Sequence, residues 1–225
     1  PLPQRGQPGV WRAPLPLELL PAGVDLQPPS PPSGAAAGRA AAAPAVPDCL
    51  PRLVVFDLDG VCWSPEMYQT RGGPPYRPVD EEAVANSAGE RIQLFEAVRR
   101  VWAQLHELRL RGRDVRVAVA SSSIRRKALP LLATFEVARG VCMRDVVDPE
   151  LIEVFYRRGE YKRPHLQSLL EKSGVPADEV LFVDDNRENI LSVQELGCVA
   201  VHMPWGLSED AWDGALRTYR LEQNL

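Results

Sequence analysis

One stretch, Arg52-Leu53-Val54-Val55-Phe56-Asp57-Leu58-Asp59-Gly60-Val61, limits what the rest of the chain can build around it. Its apolar run, rich in β-branched and aromatic residues, is suited to a strand buried on both faces of a parallel sheet. The run stops at two carboxylates spaced i and i+2, followed by a glycine. Ligands of open α/β sheets bind beyond the carboxyl ends of the strands, so Asp57 and Asp59 stand where a site belongs. Two anions this close repel unless a cation or a shared proton relieves them. Asp-x-Asp-Gly is also ordinary turn chemistry, because Asp caps local backbone and Gly supplies φ > 0. The choice between a site and a turn depends on what the rest of the chain supplies.

The elements that follow alternate. Glu96 to Leu110 predicts a helix with Ala97, Val98, Val101, Trp102, Leu105 and Leu108 on one face, ended by Gly112. Val115–Ala120 predicts a strand running into Ser121-Ser122-Ser123, and a short helix is expected from Ile124 to about Thr134. A strand is expected within Leu151–Tyr156. Lys162 then precedes a helix that starts near Pro164, carries Leu166, Leu169 and Leu170 inward, and stops at Gly174. Val180–Val183 is a strand ending at Asp184-Asp185, and a helix over Asn189–Leu196 closes at Gly197. Val199–Met203 is a last strand, and Ser208 caps a helix reaching about Leu221. The alternation predicts an α/β fold, a Rossmann-like parallel sheet flanked by helices on both faces. Residues 63–92, with Gly72-Gly73-Pro74-Pro75, lack periodicity and are expected to form an irregular flap over the carboxyl end of the first strand.

The remaining segment is of a different kind. Residues 1–50 hold 12 of the 22 prolines, and Gly34 to Ala43 is almost entirely Ala and Gly. Such a stretch has little to bury and is expected to be a disordered Pro/Ala-rich tail, leaving 51–225 as the folded domain. A transit peptide for an organelle is an alternative that Glu18, Asp25 and Asp48 weigh against, and Pro28 to Pro31 has polyproline-ligand spacing. The chain opens on Pro rather than Met, so its natural N-terminus is expected to be missing.

A net charge of −4 gives no electrostatic footprint for nucleic acid or an anionic membrane, and no run approaches the ~20 apolar residues that span a bilayer. Cys49, Cys62, Cys142 and Cys198 are scattered without a CxxC pair, as in reduced, cytoplasmic proteins.

Four polar features thus follow strands or open a helix, in the order Asp-x-Asp, Ser, Lys, Asp-Asp. Together they suit phosphoryl transfer. A carboxylate can attack phosphorus and hold the group as an acyl phosphate. A second carboxyl can protonate the leaving oxygen and then deprotonate water. A hydroxyl and an ammonium can neutralise the phosphoryl oxygens, and further carboxylates complete an oxygen-rich site for Mg²⁺.

At these residues the chain resembles the haloacid dehalogenase (HAD) superfamily of phosphohydrolases. Its four motifs match Asp57-Leu58-Asp59-Gly60-Val61, Ser121, Lys162 and Asp184-Asp185-Asn186-Arg187-Glu188-Asn189. Trp63, Ile92-Gln93-Leu94 and Gly174-Val175-Pro176 make it similar to the small magnesium-dependent phosphatases within that superfamily. The resemblance implies Asp57 as nucleophile and metal ligand. It implies Asp59 as general acid/base, with its main-chain carbonyl on Mg²⁺. Ser121, Ser122 and Lys162 would bind the phosphoryl group, and Asp185 would be a direct metal ligand supported by Asp184. The chain departs at Ser122, where the subfamily carries arginine; Arg125 or Arg126 is expected to compensate. The segment between Phe135 and Tyr161 is also longer than the resemblance implies. Asp59 argues against the dehalogenases and P-type ATPases of the same fold, and the motif order against a response-regulator receiver.

The roughly thirty residues after Trp63 are too few for a helical cap domain, so a minimal cap is expected. An open site admits a phosphorylated protein side chain or a small phosphate ester, and the resemblance implies phosphotyrosine-type and phosphosugar substrates. The competing reading is a non-catalytic binding or scaffold protein that keeps the fold and uses its Pro-rich tail.

Overall fold

Leu53, Val54, Val55 and Phe56 are all fully buried, as a strand covered on both faces requires. Around them the computed structural model, which describes residues 50–223, builds a five-stranded sheet. These residues belong to the second of two units in the chain, Val46–Leu225. The tail expected over residues 1–50 lies outside the described residues, apart from Leu50.

In chain order the elements are β1 (Leu53–Phe56), β2 (Trp63–Ser64), β3 (Arg77–Pro78), β4 (Ala83–Ala85), β5 (Arg91–Leu94) and α1 (Val98–Leu110). Then come β6 (Arg116–Ser121), α2 (Arg125–Leu132), β7 (Glu136–Ala138), β8 (Val141–Cys142), α3 (Met143–Val146) and β9 (Ile152–Val154). The chain finishes with α4 (Arg163–Ser173), β10 (Val180–Asp184), α5 (Arg187–Gln194), β11 (Val199–His202) and α6 (Glu209–Glu222).

The main sheet has the order β11-β10-β1-β6-β9, and every pairing is parallel. From β1 the chain moves outward through β6 to β9, then returns to the opposite side of β1 with β10. The order therefore reverses at β1, the place where open α/β sheets bind ligands. Alternate residues of β1 serve two cores. Val54 and Phe56 face α1 and α6, where the Phe56 ring lies 5.0 Å from Trp102 and 6.0 Å from Trp212. Leu53 and Val55 face Leu166 and Leu169 of α4 and Ile190 and Val193 of α5. Helices thus cover both faces, as the alternation predicts.

Two expectations need correction. The flap expected to be irregular over residues 63–92 is so only in part: β2, β5, β4 and β3 form a four-stranded antiparallel sheet, and residues 65–76 are turns and loop. The strands have two to four residues, too short for a period of two to show in the sequence. The flap is still small, with no helix in it. The second correction is at α5, which begins at Arg187 rather than Asn189, because the Asn186 side chain accepts the amides of Glu188 and Asn189 and caps the helix.

Candidate active site

The sheet register assembles the site. Phe56 pairs with Val183 on one side and Val119 on the other, so Asp57 emerges beside Asp184 and near the end of β6 at Ser121. The Asp57 amide donates to the Val183 carbonyl at 3.0 Å, carrying the pairing one step beyond β1. Lys162, the N-cap of α4, reaches in from the other direction.

Lys162 is buried, and its Nζ lies 2.8 Å from Asp57 Oδ1 and 3.4 Å from Asp184 Oδ2. It also donates to the Ala120 carbonyl at 2.8 Å, which ties it to the end of β6. Burial alone pushes the pKa of this ammonium down; the two carboxylates outweigh it and leave the pKa raised.

The acidic pair is built asymmetrically. Asp184 is the last residue of β10 and fully buried; its Oδ1 accepts the Asn186 amide at 2.8 Å and Asn189 Nδ2 at 2.9 Å. Burial raises its pKa to about 7 in spite of Lys162. Asp185 is half-buried, and burial together with the Asp57 charge raises it to about 6. Gly60 stands against it at φ +79°, where a Cβ would come within 2.4 Å of Asp185 Oδ2. Glycine is required here twice over, for the backbone conformation and for the close approach.

Oxygens of Asp57, Asp184 and Asp185 all lie within 4.8 Å of one another, so these three can hold a cation. The fit of a hard divalent ion rests on more than proximity. Asp57 Oδ1 is buried and accepts no hydrogen bond; its contact with Lys162 is an ion pair off the hydrogen-bond axis. A buried carboxylate oxygen that accepts no hydrogen bond, next to two more carboxyls whose pKa values burial raises, is an oxygen-rich set suited to a hard divalent cation such as Mg²⁺.

Asp59 is placed differently, with its carboxylate turned to the flap. Its Oδ1 accepts the Trp63 indole N–H at 2.7 Å and its Oδ2 accepts the Met67 amide at 2.9 Å. Burial raises its pKa, and the Met67 and Trp63 hydrogen bonds oppose the rise. Ser121 is fully buried, its Oγ accepting the Ser123 amide at 3.3 Å, whereas Ser122 is exposed.

A cavity of about 670 Å³ brings Asp57, Asp59, Ser121, Ser122, Lys162 and Asp185 to one surface. Asp184 lies behind that surface. Neither Arg125 nor Arg126 lines the cavity, which corrects the expected compensation for Ser122. The guanidinium present is Arg157, on the loop after β9 and 5.6 Å above the Phe155 ring. Tyr68, Tyr156 and Tyr161 complete an aromatic rim, exposed by half or more. Sequence reasoning missed these four; the unexpected length of the segment up to Tyr161 was the one signal for Arg157, Tyr156 and Tyr161, and Tyr68, in the flap, had none. Cys62 donates to the Asp57 carbonyl at 3.2 Å but is fully buried, and burial drives its pKa well up, so it is an inert thiol beside the site.

Three comparisons bear on this arrangement. A family model described as Acid Phosphatase matches residues 49–222. Human magnesium-dependent phosphatase 1 is 28% identical over 174 residues, which cover 77% of this chain and 90% of that protein. Among solved structures, a HAD-superfamily hydrolase from Ehrlichia chaffeensis superposes with a TM-score of 0.51 at 12% identity, over 76% of this chain and 98% of its own, a likeness of fold.

Proposed function

We propose, for a chain that belongs to the acid phosphatase family, that catalysis runs through a phosphoryl group held covalently on Asp57. The protein is a magnesium-dependent phosphatase of HAD fold. The single observation that carries the finer reading is the meeting of Asp57, Asp184 and Asp185 within 4.8 Å, with the Lys162 ammonium 2.8 Å from Asp57.

Asp57, Asp185 and the Asp59 carbonyl, with Asp184 in support, would hold Mg²⁺, which when bound would supply positive charge against the phosphoryl oxygens. The chain's own groups do the rest. An Asp57 oxygen forms a bond to phosphorus as the bond to the ester oxygen breaks. Asp59 gives that leaving oxygen a proton, and its buried setting favours the protonated form. It then takes a proton from the water that attacks the acyl phosphate, releasing inorganic phosphate and restoring Asp57. Lys162 and the Ser121 and Ser122 hydroxyls line the cavity as donors to the transferred group, and the Lys162 ammonium, already held beside Asp57 and the Ala120 carbonyl, needs little reorganisation as charge develops.

Phosphotyrosine-type and phosphosugar esters are the substrate classes we propose, as small-molecule esters or phosphorylated protein side chains. The open cavity and its tyrosine rim support them, since an aromatic ring or a sugar face can pack on exposed tyrosines. Phosphate release measured over phosphosugars, nucleotides and phosphotyrosine peptides tests this. Selective turnover of nucleotides would refute the substrate reading, and no release from any ester would refute catalysis.

A further inference from the structure

Lys127 is the third residue of α2, the helix that starts just beyond Ser121-Ser122-Ser123. Its side chain is buried, yet among the described residues it forms no ion pair with a carboxylate. All the acceptors of its ammonium are neutral and come from one turn of the flap. Nζ donates to the Thr70 carbonyl at 2.6 Å, to Thr70 Oγ1 at 2.9 Å and to the Met67 carbonyl at 3.1 Å. The flap answers from its other side, where the Tyr76 hydroxyl donates to the main-chain carbonyl of Lys127 at 3.1 Å.

Desolvating an ammonium without a counter-charge is expensive, and three charge-assisted hydrogen bonds are what offset it. Strong bonds of that kind tolerate little displacement, so the turn from Met67 to Thr70 is pinned to α2 in one geometry. That turn also touches the chemistry. Met67, gripped at its carbonyl by Lys127, offers its own amide to Asp59 Oδ2 at 2.9 Å. A short path of hydrogen bonds therefore runs from α2 through the flap to the acid–base carboxyl.

We propose that Lys127 is a positioning residue: by holding the Met67–Thr70 turn against α2, it sets where the Asp59 carboxyl stands relative to the leaving oxygen. The inference rests on the reading of Asp59 as proton donor. Its test separates this role from a purely structural one, because proton donation matters most when the leaving group is poor. The parameter kcat/KM, which reports steps through phosphoryl transfer to Asp57, is measured on p-nitrophenyl phosphate and on an alkyl phosphate. Lys127→Met is expected to lose less than about 3-fold on the first and roughly 10-fold or more on the second, within the ~10²–10⁴-fold a general acid supplies. Thr70→Val, which removes one acceptor and keeps both carbonyls, is expected to shift the same ratio less, and it decides the matter should Lys127→Met fail to fold. In an Asp59→Asn background, Lys127→Met is expected to add no further discrimination between the two esters. Equal losses on both esters, or an undiminished effect in the Asp59→Asn background, would overturn the proposal. An Asp59→Asn protein that itself loses equally on both esters would overturn the proton-donor reading, and the proposal with it.

Discussion

Replacing Lys162 by Met removes the ammonium that ion-pairs with both Asp57 and Asp184, at nearly constant volume. At an effective dielectric constant of 20, the attraction across the 2.8 Å contact with Asp57 is about 6 kcal/mol, and across the 3.4 Å contact with Asp184 about 5 kcal/mol. Much of this is offset by the cost of burying the ammonium, and breaking a buried pair typically costs ~3–5 kcal/mol. The raised pKa of Lys162 means its contribution is present below the ordinary lysine value and lost only as pH rises through the folded value, so the wild-type protein has all of it at pH 8. The variant is therefore expected to lose about 3–5 kcal/mol in urea unfolding at pH 8 with EDTA. Asp184 and Asp185 already have raised values and rise further without Lys162, so the folded variant binds more protons than the unfolded chain. Its stability deficit should accordingly shrink from pH 8 to pH 5, and saturating Mg²⁺ should shrink it at pH 8. A loss below about 1 kcal/mol, or the same loss at both pH values with and without Mg²⁺, would refute this account of the site's charge balance.

Other consequences follow from the same geometry. Gly60→Ala places a Cβ against Asp185 Oδ2 at φ +79°, and should cost ~1–2 kcal/mol of backbone strain while weakening Mg²⁺ more than substrate, read by calorimetry and metal titration. Exhaustive chelation should abolish turnover, and phosphate release persisting in excess EDTA would contradict the metal assignment. With Asp184 near 7 and Asp185 near 6 in the metal-free site, protons compete with Mg²⁺, so the apparent metal affinity should rise between pH 5 and pH 8. A pH-independent affinity over that range would contradict the combination of raised carboxyl values and a cation held by these carboxyls.

The parts legible in the sequence are those whose local pattern and tertiary setting agree. Strands β1 and β10 are fully buried, so an unbroken apolar run marked them, and the residue after β1 and the last of β10 are site carboxylates. Gly60 was legible because Asp-x-Asp-Gly is turn chemistry as well as site chemistry, and here it is both. The flap sheet was not legible: Trp63–Ser64 and Arg77–Pro78 are two-residue strands, held by pairing rather than by pattern. Nothing local separates Lys127 from a solvated lysine on an amphipathic helix; its burial depends on a turn almost sixty residues earlier in the chain. The start of α5 could have been read, since Asn186 is a strong N-cap, but the carboxylates before it were the more visible candidates. Arg157 and the tyrosine rim come from loops, where spacing gives no register.

The most direct measurement concerns the fate of the phosphoryl group on the two catalytic carboxyls. Asp59→Asn leaves Asp57 able to attack p-nitrophenyl phosphate, a substrate with a good leaving group, but removes the base for breakdown of the acyl phosphate. Asp57→Asn removes the nucleophile. Acid quenching, reduction with borohydride and peptide mass spectrometry convert an aspartyl phosphate to homoserine and locate it. The account predicts homoserine at position 57 in the Asp59→Asn protein and at no position in the Asp57→Asn protein. A phosphoenzyme mapped to any other residue, or one still formed by the Asp57→Asn protein, would contradict it.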